Sequence, residues 1–154
     1  MSAGAQRPIA QNRKARHEYM IESTLEAGVI LTGSEVKSLR QGRCSIGEAY
    51  AHEQGGELYL RRMHISPYEA ANRQNHEPLR PRKLLVHRRE LAKLLDRVQR
   101  GGYTLVPLSI YFNQRGIAKV ELALARGKRK ADKRQSEKKR DWSRQKARLL
   151  RDRG

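Results

Sequence analysis

A mainly β fold, built as a small barrel with flanking helices and followed by a basic tail, is predicted by three observations on this 154-residue chain. Short runs of apolar alternation, separated by turn residues, recur over the first 125 residues. Only two segments in that stretch carry helical periodicity. The charge is uneven: Met1 to Ala125 holds 20 Lys+Arg against 12 Asp+Glu, whereas Arg126 to Gly154 holds 14 against 4. The length suits one modest core rather than two. The expected division is a flexible leader (1–12), a barrel body (13–125) and a basic tail (126–154).

The strands follow in order. Glu18 to Thr24 is a short candidate containing Tyr19 and Ile21. Tyr50 to His52 and Leu58 to Ile65 flank Gln54-Gly55-Gly56, which reads as a hairpin turn. Leu84 to Val86 is a short apolar run. Tyr103 to Phe112 and Ile117 to Ala125 flank Asn113-Gln114-Arg115-Gly116, a second hairpin. In the last strand Val120, Leu122 and Leu124 alternate with Lys119, Glu121 and Ala123, so one face packs while the other stays partly wet. Pro107 cannot donate to a ladder and marks an edge or a bulge.

Leu91, Leu94, Leu95 and Val98 fall on one face of a helix from about Arg88 to Arg100, stopped by Gly101-Gly102. Ser34 to Gln41 is a shorter helix, with Ser34 as its cap, Val36 and Leu39 inward, and Gly42 at its end. Several short strands with two helices at this length suggest an OB-like barrel, an architecture that often binds nucleic acid.

A formal charge of +18 points to a polyanionic partner. Phosphate-rich nucleic acid gains most, because each neutralised phosphate releases condensed counterions. An anionic membrane would call for an amphipathic helix with a broad apolar face, and none is evident. No apolar run approaches membrane-spanning length, and the N-terminal residues show no hydrophobic leader segment. The single cysteine, Cys44, excludes an internal disulfide framework and suits a reducing cytoplasm. With one Trp, one Phe and six Tyr, a broad aromatic platform for stacking bases is not expected.

The tail after Arg126-Gly127 is rich in helix formers and meets no Pro or Gly before the final residue. Trp142 and Leu149 share a helical face, with Leu150 adjacent. This stripe is too thin to hold a helix on a core, and like charges such as Lys130 with Arg134 repel. The tail is therefore expected to be disordered when free and helical along RNA. A solvated basic tail without defined structure is the plainer alternative.

No nucleotide-binding glycine loop is present, and the histidines His17, His52, His64, His76 and His87 lack zinc-ligand spacing. No metal, cofactor or catalytic residue is expected. His17-Glu18 leaves ribonuclease chemistry open, although His17 beside Arg13, Lys14 and Arg16 suits a contact to phosphate or base. Glu26 and Glu35 read either as surface salt-bridge partners or as carboxylates that accept from base amino groups or ribose hydroxyls. Cys44 reads as a small buried or half-buried residue.

Several ordered motifs resemble the SmpB, or SsrA-binding protein, family. They are Asn12-Arg13-Lys14-Ala15-Arg16-His17-Glu18-Tyr19, Glu26-Ala27-Gly28-Val29-Ile30-Leu31 and Gly33-Ser34-Glu35-Val36-Lys37-Ser38-Leu39-Arg40. Asn75-His76-Glu77-Pro78, Arg82-Lys83-Leu84-Leu85 and Tyr103-Thr104-Leu105-Val106-Pro107-Leu108 follow, with Gly127-Lys128-Arg129 and Asp132-Lys133-Arg134 at the end. The resemblance implies an OB-fold barrel that binds the tRNA-like domain of transfer-messenger RNA. It implies trans-translation, the rescue of stalled ribosomes, with elongation factor Tu engaged indirectly through the charged RNA. The protein would act as a cytoplasmic monomer.

The implied RNA-facing positions are Asn12, Lys14, His17, Glu26 and Leu85, with Arg13, Arg16, Gly28 and Lys83 from the same motifs. Glu26 is thereby read as an RNA contact, and Glu35 stays a surface salt-bridge partner. The tail positions are Gly127, Lys128, Arg129, Lys130, Asp132, Lys133, Arg134, Trp142, Leu149 and Leu150, which would enter the empty message channel near the decoding centre. Where related proteins often carry a stacking residue, this chain has Ala131. The rival readings are a permanent ribosomal or assembly protein, a ribonuclease and a general nucleic-acid condensing protein.

Overall fold

The computed structural model describes residues 7–70, 75–127 and 141–148. Along the chain the elements are β1 (Ala10–Gln11), α1 (Ala15–Glu18), β2 (Tyr19–Val29), α2 (Gly33–Arg40), β3 (Cys44–Ser45), β4 (Tyr50–Gln54), β5 (Glu57–Arg61), β6 (His64–Ile65), β7 (Arg82–Leu85), α3 (Arg88–Gly101), β8 (Thr104–Phe112) and β9 (Ala118–Gly127). Strands β8, β4, β5, β7, β2 and β9 neighbour one another in that order. Strand β9 then pairs back onto β8, closing an antiparallel ring, while β1 adds to β8 and β3–β6 form a separate pair. This is the OB-like barrel with flanking helices that the strand pattern predicts.

Alternation fills the ring. Leu58, Leu60, Leu84, Leu105, Ile110, Val120, Leu122 and Leu124 point inward, and Leu39, Ile46, Met63 and Ile65 extend the core. Helix α3 lays Leu94 against it, with Leu91 and Val98 half-buried. Between β4 and β5 the hairpin turn is Gly55-Gly56, with φ of 61° and 80°. Two positive φ values in a two-residue turn match the right-handed twist of the strands, and glycine reaches them without strain.

Three bends in the pattern explain where the elements depart from a plain alternating reading. Strand β2 runs to Val29, beyond the expected Thr24, because a bulge interrupts its alternation. A register shift between Ile21 and Ser23 flips its parity. Before the shift Tyr19 and Ile21 pack outside the barrel, and after it Leu25, Ala27 and Val29 pack inside. Pro107 sits at a second shift, between Pro107 and Ser109 of β8, as a missing N–H requires. The expected strand Leu58 to Ile65 is divided by Arg62, which adopts φ 60° and separates β5 from β6.

A second, smaller core lies on the outer side of β8 and β9, where Val106, Leu108, Ala123 and Ala125 are covered by Ala15 of α1. It fixes the N-terminal basic motif to the barrel wall. The end of the expected leader is part of the same arrangement: Ala10 and Gln11 pair with Ile110 and Ser109.

Two sequence expectations are corrected. The cap of α2 is Thr32, not Ser34: Thr32 Oγ1 accepts from the Glu35 N–H at 3.4 Å, and the Glu35 carboxylate accepts from the Thr32 N–H at 2.8 Å. Ser34 lies inside the helix and meets His76 Nδ1 at 2.8 Å. Nor is Glu35 a surface residue. It is fully buried, taking hydrogen bonds from Arg80 Nη2 at 2.6 Å and Arg82 Nε at 2.5 Å. Arg82 is equally buried and also donates to the carbonyls of Met63 and Pro78. A carboxylate can leave water here because a fully engaged guanidinium and a helix N-terminus replace its hydration.

Candidate nucleic-acid interface

Strand registers place the candidate residues on the outer wall of the barrel. Ser109, Glu121 and Glu26 are opposed across β8, β9 and β2. One step along the strands, Tyr111, Lys119, Gly28 and Leu85 form a second row across β8, β9, β2 and β7. The sequence alternates here because the opposite neighbours, Val120, Leu122, Ala27 and Leu84, fill the barrel.

Arg13, Arg16 and Glu26 line one open cleft of 750 Å3 with Asn12 and Tyr111. Asn12 is buried, and its Nδ2 donates to the Pro107 carbonyl at 3.2 Å. Its backbone N–H donates to Leu108 at 2.8 Å. These bonds anchor the segment that carries exposed Arg13, Lys14 and Arg16. Lys14 lines a neighbouring groove with Glu18 and Tyr50. His17 is half-buried in α1, and its N–H donates to the Lys14 carbonyl at 3.0 Å.

Glu26 and Glu121 are cross-strand neighbours of like charge, a pairing that destabilises a sheet unless other groups answer it. Tyr111 supplies part of the answer by donating its hydroxyl to Glu26. Burial and then that hydrogen bond push the Tyr111 phenol well above its ordinary value, so it remains a donor. Ser109 reaches Glu121 at 3.5 Å. The result is a pair of acceptor groups, Glu26 exposed and Glu121 half-buried, in a cleft edged by two arginines. Carboxylates repel phosphate, so they suit base amino groups or ribose hydroxyls, while the arginines suit the backbone.

Around Gly28 the wall is open: a groove of 400 Å3 is lined by Glu26, Gly28, Leu85, His87, Ile117 and Lys119. Leu85 is 51% exposed, and a Cβ on Gly28 would stand 3.3 Å from Leu85 Cβ. Lys83 sits farther round the barrel, opposite Tyr59 and bridged to Glu57 at 2.8 Å. The structure therefore gathers Asn12, Arg13, Arg16, Glu26, Gly28 and Leu85 on one wall, with Lys14 and His17 beside it and Lys83 at its margin.

Tyr111, Lys119 and Glu121 were not singled out by sequence. The wet alternation of the last strand contained Lys119 and Glu121, but only barrel closure brings that face beside Glu26. Burial pushes the Cys44 thiol up to about 11, in keeping with a packing role.

Of the tail positions, Gly127 ends β9 opposite Tyr19. Trp142 lies in a helix of residues 141–148 in which every residue is exposed, Trp142 to 63%. The expectations for Lys128, Arg129, Lys130, Ala131, Asp132, Lys133, Arg134, Leu149 and Leu150 lie outside the described residues. The helix over residues 141–148 accords with the helix-forming composition expected of the tail, and its full exposure accords with the expectation that the tail's apolar stripe packs on no core.

The family model "SmpB protein" matches residues 9–152. An SsrA-binding protein from Rhodopseudomonas palustris (strain BisB5) is 59% identical over 146 residues, covering 95% of this chain and 93% of that one. One from Bradyrhizobium diazoefficiens (strain USDA 110) is 58% identical over 152 residues, 97% of each chain. A solved structure described as "tmRNA-SmpB: a journey to the center of the bacterial ribosome" has a TM-score of 0.65 at 53% identity, covering 78% of this chain and 84% of that one.

Proposed function

From the premise that this chain belongs to the SmpB family, we propose that it binds the tRNA-like domain of transfer-messenger RNA and delivers that RNA to stalled ribosomes, where incomplete proteins are rescued and tagged by trans-translation. One observation carries the assignment of the RNA surface. The Glu26–Glu121 acceptor pair, edged by Arg13 and Arg16, is in strand register with the Lys119–Gly28–Leu85 row, so backbone-positioning and base- or ribose-reading groups share one wall.

In this reading the protein recognises and positions RNA and catalyses nothing. Its partners are transfer-messenger RNA and the small ribosomal subunit, with elongation factor Tu engaged through the charged RNA. It works as a cytoplasmic monomer. The tail beyond Gly127 enters the empty message channel near the decoding centre, drawn by its charge of +10 over residues 126–154. A message still occupying the channel excludes it by sterics and charge. A crosslink from Trp142 to ribosomes carrying intact downstream message would overturn that part.

The test of the whole is a titration against folded transfer-messenger RNA, with tRNA and ribosomal RNA fragments as competitors. Full-length protein is compared with a version ending at Gly127, which keeps β9 entire. Neutralising about 6–10 phosphates alone loses about 10³–10⁵ in affinity between roughly 50 and 200 mM salt. Discrimination that survives truncation at the higher salt supports recognition by the barrel. Discrimination that vanishes with the tail reduces the protein to a generic basic binder.

A further inference from the structure

The wall of the barrel across from β2 and β9 carries a side-chain set of a different kind. Residues Ala51, Leu58 and Leu60 of the β4–β5 hairpin point inward and are buried. Their alternates Tyr50, His52, Gln54, Glu57, Tyr59 and Arg61 therefore point outward, with the Glu57 carboxylate at the edge bridged to Lys83 at 2.8 Å. Register opposes Tyr50 to Arg61 and His52 to Tyr59, and Tyr59 in turn to Lys83 of β7. The rings of Tyr50 and His52 stand edge to face with centroids 6.4 Å apart. Aromatic residues are scarce overall, yet strand alternation collects three aromatic rings on this one face.

Arg61 covers part of this face. Its Nη2 donates to Gln54 Oε1 at 2.6 Å. Gln54 lies four residues along β4 from Tyr50, the cross-strand partner of Arg61. At about 3.4 Å per strand residue, that bond forms only if the arginine lies lengthwise over the His52–Tyr59 pair. In that pose its Nε is buried without a partner. A buried guanidinium donor left unpaired costs free energy, so the covering is inexpensive to remove. Next to it Arg62, with an exposed side chain, holds φ 60°, a left-handed conformation that a glycine would adopt without strain. Among the described residues Arg62 is the one non-glycine at positive φ, and such strain at the end of a charged face points to a functional constraint there.

We propose that this face is a second RNA surface, which takes a short run of unpaired nucleotides: bases stack on Tyr59, His52 and Tyr50, and phosphates meet Arg61, Lys83 and Arg62. Arg61 exchanges Gln54 for a phosphate on binding, which satisfies its unpaired Nε. Planar rings interleaved with cations match single-stranded RNA, whose bases all offer a π face and whose backbone is anionic. The transfer-messenger RNA wall, by contrast, offers carboxylate acceptors and arginines in a cleft. The two surfaces are centred on different strands and meet on β7, which gives Leu85 to the first and Lys83 to the second, so one protein can hold a folded RNA on one side and exposed nucleotides on the other.

The experiment uses full-length protein and a labelled eight-nucleotide single-stranded RNA at physiological salt, with folded transfer-messenger RNA titrated in parallel. Wild type is compared with Tyr59→Ala, His52→Ala and Tyr59→Phe, none of which alters a formal charge at pH 7, so the tail's contribution is held constant. Removing one stacking ring should weaken oligonucleotide binding by about fivefold or more. Tyr59→Phe should restore it, and affinity for transfer-messenger RNA should stay within about twofold. Unchanged oligonucleotide binding in both alanine variants overturns the proposal, as it would if this face instead served a protein. Equal loss of transfer-messenger RNA binding also overturns it, because the face would then belong to the first surface. Thermal unfolding of each variant identifies any loss caused by misfolding, and Tyr59→Leu, which keeps apolar bulk but offers no ring to stack on, decides the case then: binding as strong as wild type overturns the proposal.

Discussion

Glu26 and Glu35 are two carboxylates in a strongly basic chain, and the barrel uses them in opposite ways. Glu26 stands on the outer wall, where Tyr111 steadies it and its remaining lone pairs face solvent. Glu35 stands in the first turn of α2, where Arg80, Arg82 and the Thr32 N–H consume its acceptor capacity. The first is available to a partner. The second is spent on the fold, tying the N-terminus of α2 to β7, the strand that presents Lys83 and Leu85. Availability, not residue type, separates a recognition group from a structural one.

The sharpest break of that comparison is Glu35→Ala. Losing one member of a buried pair strands the other charge, and a cost of about 3–5 kcal/mol is expected in denaturant unfolding. RNA binding by the folded fraction should change little. Acid provides a gentler version of the same test. Burial alone would raise the Glu35 pKa, but the Arg80 hydrogen bond, the Thr32 N–H and then Arg82 outweigh it and hold it below 4.5. A depressed carboxylate contributes its full stability above the unfolded value and loses it as pH falls through the folded value. Below pH 4.5 the stability gap between wild type and Glu35→Gln should therefore narrow.

The complementary change is Glu26→Gln. It should leave stability within about 0.5 kcal/mol, as exposed substitutions do. It should lower affinity for transfer-messenger RNA by about 1.5–3 kcal/mol, the usual worth of a hydrogen bond to a charged group. Equal effects on stability and binding would erase the distinction between the two carboxylates.

Two smaller effects sharpen it. Thr32→Ala removes the α2 cap and should cost about 1 kcal/mol of stability, well below Glu35→Ala because the Arg82 pairing survives. Gly28→Ala places a Cβ 3.3 Å from Leu85 Cβ. That Cβ moves only with the β7 backbone, so the strand must give by a few tenths of an ångström and stability should fall by about 1 kcal/mol. The displaced Leu85 should also show as weaker RNA binding in the same titration.

Much of the fold was legible because its signals are local. The Leu91, Leu94, Leu95 and Val98 spacing, the Gly55-Gly56 turn and the Val120, Leu122 and Leu124 alternation each lie within a few residues. The buried role of Glu35 was not legible, since its partners lie 45 and 47 residues away. The full extent of β2 was obscured by the register shift after Ile21, which reverses which residues face the core.

The candidate site divides along the same line. The basic motif at Asn12 to His17 and the carboxylate at Glu26 could be named from the chain, by charge and by family resemblance. Their meeting with Tyr111, Lys119 and Glu121 required the closure of β9 onto β8 and β2.

Taken alone, the sequence determined a polyanion-binding chain with alternating strands, one strong helix, a basic tail and a recognisable family. These properties follow from composition, short-range periodicity and ordered motifs, which need no knowledge of what lies across the barrel. Tertiary structure alone decided which carboxylate is buried, which strand faces form a common wall and that three scattered rings share another. Those outcomes depend on strand register, because a pleated strand alternates its faces at every residue and a single bulge exchanges inside for outside.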